Sequence, residues 1–312
     1  MPIELTRVST CEITPAEDFR ISFNPNRPPL RGVEEFGILQ PPILLRAEAG
    51  LLIVCGFRRV EAARSHGLES VPAMVCAGLD RRQTVLLGLL ERLSQGELND
   101  VERARAVEKF RKNGWLPGEL SEALFPLLGM KMNSMALEQL QTLLQMPREV
   151  QAKVAAREMH LYTAHRLSFW GGRVEQIAQW FSTLGLGVNK QRELLDLMDE
   201  VVRVNKLPPD ELIGILDQIR CGEPVFRVYD SWIRKLKSLR YPRLTEAERQ
   251  FEESKARFKL PGQIQLMPSP YFEENRYRIA FPFQSREELE RYSRKLLEMA
   301  ASSELDAILK LI

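Results

Sequence analysis

The chain has 312 residues, 44% of them apolar and 28% charged, with a formal net charge of +2 at pH 7. That composition excludes a disordered chain and leaves room for two or three domains with cores of their own. No apolar run reaches the length of about 18 residues that a membrane span needs. The opening MPIELTRVSTCEI lacks an apolar signal-peptide core. The four cysteines (Cys11, Cys55, Cys76 and Cys221) have neither zinc-ligand nor disulfide-framework spacing, so a reducing cytoplasm is expected.

Charge is spread unevenly. Residues 1–100 hold 11 Lys/Arg against 13 Asp/Glu, residues 101–170 hold 10 against 7, and residues 231–259 hold 9 against 4. Any polyanion contact is therefore expected in the middle and late chain. The plainer alternative is a solvated helix face.

The first hundred residues read as α/β. Strands are predicted at Ile3–Val8, Ile43–Arg46, Leu51–Cys55 and Val71–Val75, with a helix over Arg59–His66 that Gly67 caps. Pro25, Pro28, Pro29, Pro41 and Pro42 break the loops between them. The strand ending at Cys55 runs straight into Gly56, and Arg58 and Arg59 open the helix that follows. Backbone N–H groups at a helix N-terminus attract anions, and arginine adds bidentate donors for phosphate. Gly56, without a Cβ, lets the backbone approach a ligand. The alternative is an ordinary βα turn with solvated arginines.

From Thr84 the pattern turns helical, with Val85, Leu86, Leu89, Leu90 and Leu93 at helical spacing. Asn99 is placed to cap Val101–Lys112, with Glu102 at N3. Further helices are predicted at Glu119–Leu128, Ser134–Gln145 and, after Pro147, Arg148–Glu158. Short helices divided by tight turns are the pattern of a helix-turn-helix DNA module. Such modules read DNA through the start of the second helix. Here Lys131, Asn133, Ser134 and Gln139 can donate hydrogen bonds, and Lys153 adds a phosphate-binding cation. Met130, Met132, Met135 and Glu138 suit phosphates poorly, so a core stripe or a protein-binding surface stays open.

Residues 171–260 continue as helices of unassigned role. Gly171-Gly172 reads as a hinge, and Gln191–Val204 and Asp210–Arg220 as amphipathic helices. Arg234, Lys235, Lys237, Arg240 and Arg243 then form a basic run with no acidic residue. The end of the chain reads as β-β-α. Gln263–Met267 is a short strand, and Tyr277, Ile279, Phe281 and Phe283 alternate as a second, which Pro282 confines to an edge or an end. Ser285-Arg286-Glu287-Glu288 is a capping box for a helix with Leu289, Tyr292, Leu296 and Met299 on one face. A unit this small buries little by itself, so a homodimer interface is expected there.

Three elements in order then resemble the ParB-like partition family. Gly37-Ile38-Leu39-Gln40-Pro41 is similar to its GxxQP segment, and Gly56-Phe57-Arg58-Arg59-Val60-Glu61-Ala62 to its GERRxRA box. The run from Glu91 to Ala104 is similar to its ENxQRxxLxxxEEA element. Leu144–Val150 resembles the LLxLPxEV run that closes the family's helix-turn-helix, and His160–Arg166 its GHARAL segment. The resemblance covers roughly residues 3–168.

The resemblance implies an α+β multidomain chain. Its parts are a small α/β ParB/sulfiredoxin-like nucleotide or phosphate domain (1–98) and an all-α helix-turn-helix (99–170), then the unassigned helical stretch (171–260) and a β-β-α dimerisation unit (261–312). It implies CTP as ligand, with Gly56, Arg58 and Arg59 on the triphosphate, Gln40 lining the base side, and Glu91 near a Mg²⁺ ion, where it is also a weak catalytic candidate. Double-stranded DNA is the implied partner. Two departures matter: Phe57 stands where the family has Glu, and Arg92 where it has Asn. Both remove oxygen donors from the metal environment, so CTPase-type hydrolysis is expected to be weak or absent. Arg92 is instead expected to bind phosphate where the ion would sit. The alternative for Arg58 and Arg59 is that they pair internally with Glu61, Glu91 or Glu97 and hold the domain together. The chain also starts almost at its first strand, with only Arg7 nearby, which counts against a ParA-type ATPase partner. Sulfiredoxin relatives use a cysteine after the glycines. Cys55 precedes Gly56 and reads as a buried strand residue. A small-molecule kinase on the same fold remains the alternative, with Glu61 or Glu91 as its base.

Overall fold

β1 (Ile3–Ser9) and β2 (Ile13–Thr14) are the two edges of a five-stranded sheet. Between them lie β5 (Ser70–Cys76), β3 (Ile43–Ala47) and β4 (Gly50–Cys55), giving the order β1-β5-β3-β4-β2. The computed structural model describes residues 3–24, 28–48, 50–131, 133–272, 274 and 276–310. Pro25 and Met132, singled out from the sequence, lie outside them. Two compact units divide the chain, Met1–Arg192 and Glu193–Ile312.

Alternation along the strands decides which helix covers which face. Leu44, Leu51, Ile53, Val71, Ala73 and Val75 point to one side, where Phe57, Val60 and Ala63 of α2 (Phe57–Ser65) complete the core. Ile43, Leu45, Cys55 and Cys76 point to the other, toward Leu87 of α3 (Arg81–Ser94). Each fully buried Ile or Leu stabilises the sheet by roughly 1.5–3 kcal/mol. Asp80 and Gln83 start α3 with a reciprocal capping box. Gly67 adopts φ +66°, and Leu68 N–H donates to Ala63 O at 2.9 Å, closing α2 as its sequence promised. A short α1 (Val33–Phe36) precedes the GILQP loop.

The rest of the first unit is helical. α4 (Asp100–Lys112) starts at Asn99 with a capping box to Glu102. The segment expected as one helix over Glu119–Leu128 is α5 (Pro117–Glu119), a π-turn (Leu120–Leu124) and α6 (Phe125–Leu127). Pro126 has no N–H to give to the carbonyl four residues back, and the ladder widens just before it. α7 (Ser134–Gln145), α8 (Arg148–Ala155), α9 (Leu161–Ser168) and α10 (Val174–Thr183) follow. Gly171-Gly172 opens a 3₁₀ turn, Gly171–Arg173, between α9 and α10. α11 (Val188–Asn205) carries the unit boundary.

In the second unit α12 (Pro209–Gly222) and α13 (Val225–Arg240) bury Leu212, Leu216, Val228, Trp232 and Leu236, and Trp232 Nε1 donates to Leu216 O at 2.8 Å. α14 (Pro242–Arg257), the antiparallel pair β6 (Gln265–Pro268) and β7 (Tyr277–Ala280), α15 (Arg286–Ala300) and α16 (Ser303–Leu309) complete it. Phe251, Phe258, Leu266, Met299 and Ile308 form its core. The second strand stops at Ala280, before Phe281 and Pro282, and the expected capping box is only half made. Ser285 Oγ accepts from Glu288 N, but the Glu288 carboxylate reaches back to Gln284 N–H at 2.9 Å rather than to Ser285. No described helix is long and apolar enough to cross a membrane.

Candidate functional site

The turn from β4 into α2 forms one wall of a cleft of about 340 Å³ in the first unit. Gly56 sits at φ +90° as the N-cap of α2, where no side chain caps the helix. The sequence offered close approach to a ligand as the reason for this glycine. Its immediate reason is internal, because a Cβ there would lie 2.8 Å from Pro42 Cβ and 2.9 Å from Pro42 Cα. The GILQP loop thus packs directly on the turn and supplies a second wall with Gly37, Ile38, Leu39 and Gln40. Glu91, Arg92 and Gln95 of α3 line a third.

Arg59 holds these walls together. Its Nη1 donates to Pro41 O at 2.8 Å and Gln40 O at 3.4 Å, and its Nη2 pairs with Glu91 Oε1 at 2.8 Å. Gln95 Nε2 donates to the same carboxylate oxygen at 2.6 Å. Arg58 lines the cleft beside it and donates to Pro28 O. Phe57, at the departure from the family box, belongs to the core under the sheet and shows an edge to the cleft, with Arg20 lying over its ring at 5.2 Å. Gln40 is exposed at the cleft mouth. The structure therefore brings Gln40, Gly56, Arg58, Arg59 and Glu91 into one cavity.

Arg92 corrects an expectation. Its guanidinium does not point to a phosphate position. It grips Glu102 through Nε–Oε1 at 2.9 Å and Nη2–Oε2 at 2.7 Å, and donates to Gly96 O and Glu97 O. The cause is burial: the Glu102 side chain is 2% exposed, and a buried carboxylate requires a cation and donors. Phe23 N–H and Asn99 N–H supply the donors at 3.0 and 3.1 Å. Glu102 thereby clips α4 to the Ile21–Phe23 segment beside the cleft, and Arg105 adds a bond to Ser22 O. Glu102 was legible as a capping residue, but nothing in its spacing announced this second task. Of the other internal pairings considered, Glu61 bonds Arg20 at 3.0 Å and Glu97 meets Arg157 at 3.4 Å, neither touching Arg58 or Arg59.

A divalent ion fits this donor set badly. Mg²⁺ takes hard oxygens in near-octahedral array. Glu91 is the one carboxylate lining the cleft among the described residues, and Arg59 and Gln95 hold its Oε1. The described residues contain no group of three or more His, Cys, Asp or Glu disposed for a metal. Cys55 is equally unsuited to chemistry. Burial, and then the neighbouring Glu91 charge, push its thiol up to about 12.

Around α7 the predicted DNA residues fall into two groups. Lys131 and Ser134 are exposed at the N-terminal end of α7, and Asn133 caps the helix by accepting Ala136 N–H at 2.6 Å. Gln139 is half-buried one turn on. Met135 is 54% exposed, so it is no core residue, while Leu140 and Leu143 are buried. Lys153 stands apart on α8, its Nζ bonded to Ser182 Oγ and 3.6 Å from Glu149. Glu138 faces His165 at 3.6 Å.

No family model matches the chain. Curated relatives do. The chromosome-partitioning protein Spo0J of Thermus thermophilus is 32% identical over 108 residues, 35% of this chain and 40% of that protein. A probable plasmid-partitioning protein ParB of the same organism is 39% identical over 75 residues, 24% of this chain and 25% of that one. Over the matched region the chain is ParB-like. A nucleoid occlusion protein of a Geobacillus strain is 32% identical over 126 residues, 40% of this chain and 43% of that protein. The chain thus covers between a quarter and about two-fifths of the length of these relatives.

Proposed function

We propose that this ParB-like chain is a DNA-binding protein of the partition, nucleoid-associated or regulatory kind, whose N-terminal cleft binds a nucleoside triphosphate, CTP by resemblance. The observation that carries the reading is the convergence of Gln40, Gly56, Arg58 and Arg59 on one cavity in a ParB-like sequence. In this reading the uncapped start of α2 and the two guanidiniums receive phosphate oxygens, as charge-assisted donors do. Leu39 and Gln40, the exposed residues of the GILQP loop, border the base. The chain's own part is to bind and orient the ligand, and hydrolysis is weak or absent because Glu91 is engaged by Arg59.

The domain division 1–98, 99–170, 171–260 and 261–312 belongs to the same proposal. The helix-turn-helix spans α5 to α7 and meets duplex DNA through Lys131, Asn133, Ser134 and Gln139, with Lys153 a secondary cation. The β-β-α end makes the homodimer, and Ile279, Phe283 and Leu297, exposed by 39, 52 and 71%, supply apolar surface for it. The test is duplex DNA retention across a salt series, with and without CTP. Retention at moderate salt that requires nucleotide, and binding that weakens steeply with salt, are the expected results. Consumption of nucleotide with a metabolite and indifference to DNA would instead select the kinase alternative.

A further inference from the structure

We propose that the Gly56 cleft takes its ligand as the free polyphosphate anion, without a divalent cation. The proposal rests on the reading of the cleft as a nucleotide site and specifies the form in which the nucleotide enters.

The charge inventory of the walls is the first ground. Arg31, Arg58 and Arg59 line the cavity against a single carboxylate, Glu91, while Arg92, also on its wall, is taken up by Glu102. The second is where that carboxylate's lone pairs go. Glu91 Oε1 accepts from Arg59 at 2.8 Å and from Gln95 at 2.6 Å. An ion drawn to Glu91 would compete at Oε1 with a guanidinium that two backbone carbonyls also fix in place.

Glu102, which Arg92 holds beside the cleft, is closed off. Arg92, Phe23 N–H and Asn99 N–H consume both of its oxygens, and it is buried. Mg²⁺ binds through one or two carboxylates plus phosphate oxygens and keeps several waters. This cleft offers one such carboxylate, Glu91, with its Oε1 already held by two donors.

A metal–nucleotide complex also brings positive charge against a wall already rich in guanidiniums, whereas the metal-free nucleotide presents its whole negative charge to them. Arginine recognises phosphate directly, through paired N–H donors, and needs no bridging ion.

The test is calorimetric titration of the full wild-type chain with CTP, then with the other three nucleoside triphosphates. Each is run once in millimolar magnesium and once in EDTA. The expected result is an affinity in EDTA equal to that in magnesium within about threefold, or tighter. Manganese electron paramagnetic resonance is expected to show no protein-bound ion when nucleotide is added. Weakening beyond that range on chelation, or a protein-bound manganese signal, overturns the proposal and leaves the nucleotide reading standing. Absence of binding for every nucleotide in both buffers, with duplex DNA binding intact, overturns the two together.

Discussion

Arg58 and Arg59 are adjacent in sequence and differ in task. Arg59 is 15% exposed, pairs with Glu91 and ties down the GILQP loop. Arg58 lines the same cleft and donates to Pro28 O. Arg59→Ala is expected to lower unfolding free energy by about 2–3 kcal/mol, since it strands a largely buried carboxylate, and to abolish nucleotide binding with it. Arg58→Ala is expected to cost about 1 kcal/mol or less while still removing most nucleotide affinity. Urea unfolding and nucleotide titration on both variants separate the roles, and equal loss of stability would contradict the assignment.

Cys55 gives a pH dependence. Its folded thiol holds its proton up to about 12, while the unfolded group titrates near 9. Its contribution is therefore complete below about pH 9 and declines as the pH rises from there toward 12. The urea midpoint is expected to fall between pH 8 and 11 by more in wild type than in Cys55→Ala. At pH 8 iodoacetamide is expected to modify the exposed Cys11 and Cys221 and spare Cys55.

At the scale of elements, much was legible because local chemistry specified it. The four strands of the α/β part, α2 with its Gly67 stop, and α4 with its Asn99 cap all follow from alternation, glycine and capping residues within a few positions. β2 was not legible, since two residues carry no period. The split of Glu119–Leu128 around a π-turn was written in Pro126, read from the sequence only as part of a helix. The cleft residues were legible as a motif, and Glu91 as one of three possible partners for its arginines, but the Arg92–Glu102 pair was not. Glu91 lies 32 residues from Arg59 and Glu102 lies 10 from Arg92, and pairing at such distance leaves no periodic trace. Gly56→Ala tests the turn. It places a Cβ in a left-handed backbone and against Pro42, and a loss of about 2–3 kcal/mol is expected. A neutral result would mean that Pro42 yields.

At the scale of the molecule, Glu102 joins the cleft segment Ile21–Phe23 to the first helix of the helical part. On the reading proposed above, that contact links the nucleotide cleft to the DNA-binding helices within the first unit. Charge reversal at Lys131 is expected to weaken DNA binding uniformly across sequences and to reduce the salt slope by about 1. Reversal at Lys153, held by Ser182 and Glu149, is expected to do less. DNA binding that ignores salt would turn the exposed Met135 surface toward a protein partner instead.

Everything at larger scale depends on whether the cleft holds a nucleotide. Thermal unfolding of the wild-type chain, with each nucleoside triphosphate added in large excess, tests this most directly. At about a hundredfold over Kd, one of them, CTP first, is expected to stabilise the fold by about 2.7 kcal/mol and raise its midpoint by a few degrees, with no rise in Arg58→Ala. A wild-type midpoint that stays fixed for all four would contradict the account.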